Sequence, residues 1–126
     1  MFFYRRLRRF HRFIIYSYGS LTPNPSPKGE GNSDDPIVIN SGYRSEAVNK
    51  AVGGAKGSNH LTGCAADIRC LGIEQALRYA TTLLDISDES KEDFDELLIE
   101  KSSRSIWVHF AVRPKDNRRK VMFLKK

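Results

Sequence analysis

The chain has 126 residues, which is room for one small domain with one modest core. Its formal charge of +6 is unevenly spread: residues 1–20 carry five arginines and no acid, while residues 21–126 hold 16 basic against 15 acidic side chains. The body is therefore close to neutral, and the basic excess describes a tail rather than a charged surface on the folded unit. Two cysteines, Cys64 and Cys70, are too few for a disulfide framework and lack the second close pair that a zinc ribbon or finger needs; buried thiols are the leading reading.

In chain order, the leader runs from basic residues 5–12 into a four-residue apolar stretch at 13–16. A secretory core needs about 7 to 15 apolar residues and a membrane span about 20, so no export signal or transmembrane segment is expected. The leader reads as a loosely ordered tail or as one that touches anionic lipid or nucleic acid. Residues 21–35, LTPNPSPKGEGNSDD, hold three prolines and two glycines and almost nothing apolar. Such a segment cannot bury enough surface to offset its ordering entropy, so 1–35 is a leader and linker and 36–126 the domain.

Residues 37–39 form a β-branched run that fits a buried strand. The chain then turns at 41–44, and Ser45 can cap a helix over 46–52 that stops at Gly53 and Gly54. No period marks 55–62, a loop; 65–69 fit a strand with Asp67 on one face. Ile73, Ala76, Leu77, Ala80, Leu83 and Leu84 recur at helical spacing, which predicts a core-packing helix over 73–84. The acidic stretch 85–93 reads as a solvated turn, and 94–100 fits strand or helix because Leu97, Leu98 and Ile99 run together. Alternation over 106–112 predicts a strand with His109 on the face of Trp107 and Ala111. After turn signals at Pro114 and Asp116-Asn117, 120–124 can return as an antiparallel strand.

Three side chains on these elements suit a metal ion. His60 from the loop, Asp67 from one strand and His109 from another offer two imidazoles and a carboxylate, a donor set that zinc accepts with a fourth position left for water. Copper and nickel also bind such donors. Zinc-bound water has its pKa lowered from 15.7 to about 7, and hydrolysis then needs a base, for which Glu100, Glu96 and Asp95 compete. The guanidinium of Arg44 suits bidentate recognition of a carboxylate or is an ordinary surface arginine. Ser58 either donates a hydrogen bond to a ligand or shapes the loop.

At Ser41-Gly42-Tyr43-Arg44-Ser45, Val48-Asn49, Val52-Gly53-Gly54, Ser58-x-His60 with Gly63, Ala65 and Asp67, Phe94-Asp95-x-Leu97 with Glu100, and Trp107-x-His109, the chain resembles the zinc D-alanyl-D-alanine carboxypeptidase family. That group includes phage L-alanyl-D-glutamate endopeptidases and vancomycin-resistance dipeptidases, and the resemblance covers about residues 36–124. It implies a compact α+β domain, a small antiparallel sheet with flanking helices of the type shared with the Hedgehog signalling domain, acting as a monomer on peptidoglycan stem peptides, with no nucleic-acid partner. It also implies zinc on His60, Asp67 and His109, Glu100 as base, and Arg44 with Ser58 in support as substrate contacts.

Many relatives place the glutamate three residues before the last histidine, where this chain has Ile106; the Phe-Asp-x-Leu subgroup places it as Glu100 stands. Relatives of that subgroup also carry some fifty residues of helical structure upstream, so the chain reads as a truncated copy. An inactive, metal-stabilised peptidoglycan-binding remnant is the alternative function. Peptidoglycan lies outside the cytoplasm, so a phage-type release or a misassigned start is expected to account for the lack of an export signal.

Overall fold

The computed structural model describes residues 37–126; the expectations placed on the leader and linker lie outside the described residues. Five strands, β1 (Ile39–Ser41), β2 (Ala65–Cys70), β3 (Glu96–Lys101), β4 (Ile106–Ala111) and β5 (Lys120–Lys125), join one sheet in the order β1-β2-β4-β3-β5. Two helices accompany them, α1 (Glu46–Ala51) and α2 (Ile73–Ser90), with a 3-10 turn at Asn59–Thr62. The α+β class holds. No helix of the described residues is long and apolar enough to cross a membrane.

Successive strand residues point to opposite faces, and this sheet uses the two faces differently. One face sets Ala66, Ile68 and Cys70 of β2, Val108 and Phe110 of β4 and Leu97 of β3 against Ala76, Tyr79, Leu83 and Ile86 of α2. Phe110, Leu83, Leu97 and Phe94 are essentially fully buried, each such side chain stabilising the fold by about 1.5 to 3 kcal/mol. By register the other face carries Asp67, His109, Leu98 and Met122 in one row, and Arg69, Trp107, Glu100 and Leu124 in the next. Leu97 and Leu98 therefore look to opposite faces and both are buried, which is why β3 reads as an unbroken apolar run.

Four expectations change. The first strand begins two residues later than 37–39 and is an edge strand: Val38 and Ile39 are exposed, and only Ile37 packs against the core. Within the expected loop 55–62, the last four residues form the 3-10 turn. The helix over 73–84 continues to Ser90, because Ile86 and Ser87 carry its buried stripe another turn before Lys91, at φ 56°, ends it.

The strand at 120–125 pairs with β3 in parallel, not with β4 in a hairpin. Both edges of β4 are already taken, by β2 and β3. The chain from 112 to 119 must pass the start of β3, where the Arg119 amide donates to Phe94 O and the Lys120 amide to Asp95 O, each at 2.9 Å. At the other end, α1 begins as expected, the Ser45 hydroxyl accepting from the Val48 amide at 3.3 Å. Cys64 and Cys70 are free and buried, and burial pushes the Cys70 thiol up to about 11.

Candidate metal centre

His60 is positioned by the 3-10 turn. The Ser58 hydroxyl caps it, accepting from the His60 amide at 3.2 Å, and Gly63 closes it at φ 69°, a left-handed conformation that a side chain would strain. The loop before the turn is tied to α1 through Asn49, whose Nδ2 donates to Ala55 O at 2.9 Å; a Cβ on Gly54 would stand 2.1 Å from Asn49 Oδ1. Nδ1 of His60 lies 2.7 Å from Gly42 O. A carbonyl can only accept, so Nδ1 carries a proton and Nε2 is the ring nitrogen left for a metal, the arrangement that orients a metal-binding imidazole.

Nε2 points at Asp67. Oδ1 of Asp67 is 3.2 Å from His60 Nε2 and 3.0 Å from His109 Nδ1, while Oδ2 accepts from Arg44 Nη2 at 2.9 Å. All three residues are buried, at 2%, 7% and 6% exposure for His60, Asp67 and His109. Burial alone would raise the carboxyl of Asp67, but hydrogen bonds from His109 and His60 outweigh it and hold the group well below the usual carboxylate range. For His109, burial works against the charged form, yet contacts to Asp67 and Glu96 win and lift the imidazole to about 9 in the metal-free protein.

Two glutamates of β3 flank this centre on the same face. Leu98 stands opposite His109, so Glu96 and Glu100 are its two diagonal neighbours, within reach of a long side chain. Glu96 makes the contact: Oε2 lies 3.1 Å from His109 Nε2, and Oε1 accepts from Arg118 Nη2. The His109 contact lowers the Glu96 carboxyl, against burial and with help from Arg118. Glu100 is buried at 6% exposure, its Oε2 3.4 Å from Lys126 Nζ. It touches none of the three ligands, but its charge helps to hold the proton on His109.

Asp95, the third candidate base, is committed elsewhere. It is fully buried and takes Arg118 Nε at 2.9 Å and Nη2 at 2.8 Å, Asn59 Nδ2 at 2.7 Å and the Arg118 amide at 3.2 Å. Arg113 approaches at 3.3 Å. Burial pushes the Asp95 carboxyl up, but these donors prevail and hold it at about 2. The network joins the turn that carries His60 to the start of the strand that carries Glu96. Sequence reasoning missed it, and missed Gly42 O and the Glu96–His109 contact. The signal available was adjacency alone, Asn59 next to His60 and Asp95 next to Glu96.

Arg44 stands at the centre too. Nε donates to Ser41 Oγ at 2.8 Å and Nη2 to Asp67 Oδ2, so its Nη1 is without a partner among the described residues. Two imidazole nitrogens and one carboxylate oxygen thus lie within 4.8 Å of one another. These are the donor types that zinc and neighbouring transition metals take, and with Nδ1 of His60 already engaged by a carbonyl the set fits a divalent ion.

The family described as Peptidase M15 matches residues 28–110 of the chain. The matched span includes Arg44, Ser58, His60, Asp67, Glu96, Glu100 and His109 and ends before β5. No curated protein matches the chain.

Proposed function

The chain belongs to the Peptidase M15 family, and from that premise we propose that it is a zinc-dependent peptidase that hydrolyses peptide bonds in peptidoglycan stem peptides, of the D-alanyl-D-alanine carboxypeptidase or L-alanyl-D-glutamate endopeptidase type. The observation that carries this reading is the convergence of His60, Asp67 and His109, each with a second partner that fixes its orientation. Carboxylate–histidine pairs of the Glu96–His109 kind recur behind metal ligands because they fix the ring and raise its basicity.

His60, Asp67 and His109 would hold the ion, which when bound supplies a water acidified to near-neutral pKa and a Lewis acid for the scissile carbonyl. Glu100 is assigned the base. Glu96 is engaged by His109 and Arg118 and Asp95 by two arginines and Asn59, whereas Glu100 has one long contact, to Lys126, and shares the face of the centre. In this role Glu100 takes a proton from the attacking water and returns it to the departing amine nitrogen. Arg44 holds Asp67 with one Nη and has the other for a substrate carboxylate or carbonyl, and Ser58 supports by shaping the turn under His60.

Zinc content and hydrolysis of D-Ala-D-Ala and L-Ala-D-Glu peptides test this reading. One zinc per chain, with hydrolysis that His109→Ala abolishes, is expected. Stoichiometric zinc with tight muropeptide binding and no turnover would instead establish a non-catalytic binding module.

A further inference from the structure

A cleft lies at the end of the sheet, where β2 finishes and β3 turns into β4. Its volume is about 560 Å³, and its lining includes Arg69, Lys101 and Arg104 with Ser103 and Asn40. Among the described residues no acid lines it and none of the three cations makes an ion pair. Elsewhere in this near-neutral body arginines are matched: Arg44 with Asp67, Arg78 with Glu74, Arg118 with Asp95 and Glu96, Arg119 with Asp88 and Asp93. Three cations gathered around one cleft, none in an ion pair among the described residues, are a focus of positive potential.

The cleft adjoins the metal centre in register. Arg69 is two residues beyond Asp67 on β2, hence on the same face and roughly 7 Å further along the strand. Its partner across the sheet is Trp107, in the row that also carries Glu100. The turn itself is rigid: the Ser102 hydroxyl accepts from the amides of Arg104, at 3.3 Å, and Ser105, at 3.1 Å.

We propose that this cleft is an anion subsite that receives a side-chain or terminal carboxylate of the peptide substrate, about two residues from the bond held at the metal centre. The inference rests on the peptidase reading for its ligand and on the cleft alone for its charge. Guanidinium groups pair with carboxylates by two parallel hydrogen bonds, which gives orientation as well as attraction. An acidic peptide would therefore be both selected and aligned along the face that carries Glu100.

The test uses the zinc-loaded full chain and two stem-type peptides that differ only in one residue, glutamate against glutamine, at the position two residues from the scissile bond. Calorimetric affinity and cleavage rate are read for each. The acidic peptide is expected to bind about tenfold tighter, the effect of one charge-assisted contact. The ratio should fall towards one in Arg69→Gln and Arg104→Gln and be retained in Arg69→Lys, which keeps the charge. Equal affinity for the two peptides in the unaltered chain would overturn the subsite, as would a preference that survives both glutamine variants. Inorganic phosphate that binds more tightly than the acidic peptide, and displaces it, would also overturn it. Charge-selective binding with no cleavage would sustain the subsite and remove the peptidase reading.

Discussion

Asp67 bears on every part of the proposed centre because each of its oxygens does separate work. Oδ1 meets both imidazoles and Oδ2 is held by Arg44, so the carboxylate cannot rotate without losing a partner. The two glutamates beside it divide on the same logic of occupancy. Glu96→Gln removes the partner of His109 Nε2 and should weaken zinc binding by about 10- to 100-fold. Glu100→Gln should leave zinc affinity near its original value and lower the cleavage rate by about 10²- to 10⁴-fold. Competition with a chromophoric chelator and a steady-state assay read the two effects; full cleavage by Glu100→Gln would sink the base assignment. The grouping of His60, Asp67 and His109 was legible in the sequence from donor type and family resemblance, and the fold brings the three within 4.8 Å of one another. The pairing of Glu96 with His109 was not, because it depends on which residue of β3 stands opposite His109, and register is a property of the folded sheet.

Among the elements, the segment from 112 to 120 shows where local pattern stops informing. The turn residues and the apolar alternation of β5 are visible in the chain, but its partner is decided by which sheet edge is vacant, and β4 has none. The same segment delivers Arg113 and Arg118 to Asp95, a buried carboxylate that links the His60 turn to β3. Asp95→Asn should destabilise the fold by about 3 kcal/mol, as removal of one partner from a buried ion pair does. The pH dependence has a definite sign. Asp95 is held at about 2, below its ordinary 3.8, so its contribution is fully present above about 4 and is lost as pH falls through 2. By linkage that contribution is roughly 2 kcal/mol. Urea unfolding between pH 2 and 6 would show it as a fall in stability that Asp95→Asn lacks; an unchanged pH profile in the variant would contradict the network. The end of α2 was misplaced in the sequence for a related reason: Ile86 and Ser87 sit in an acidic stretch whose composition suggests solvent, yet both are buried.

At the scale of the molecule, the sheet separates two tasks, an apolar face that packs α2 and a polar face that gathers the metal centre from β2, β4 and the turn before β2. The alternation in 106–112 and the stripe of 73–84 made one strand and the core helix legible in the chain, while the α+β class followed from the family resemblance. Because the ligands come from separate elements, an ion bound to them ties the folded state together. Zinc at one hundred times its dissociation constant should stabilise the chain by about 2.7 kcal/mol, visible as a rise in the thermal midpoint that His109→Ala abolishes. A midpoint indifferent to zinc in the unaltered chain would mean that the three side chains do not form an ion site. The most direct measurement of the central claim is mass-spectrometric detection of stem-peptide hydrolysis by the full chain, first with one equivalent of zinc, then after chelation, then after zinc is restored. The account predicts one hydrolysed peptide bond per substrate, lost on chelation and regained with zinc; no hydrolysis at full zinc occupancy, or hydrolysis that persists in the chelated His109→Ala protein, would contradict it.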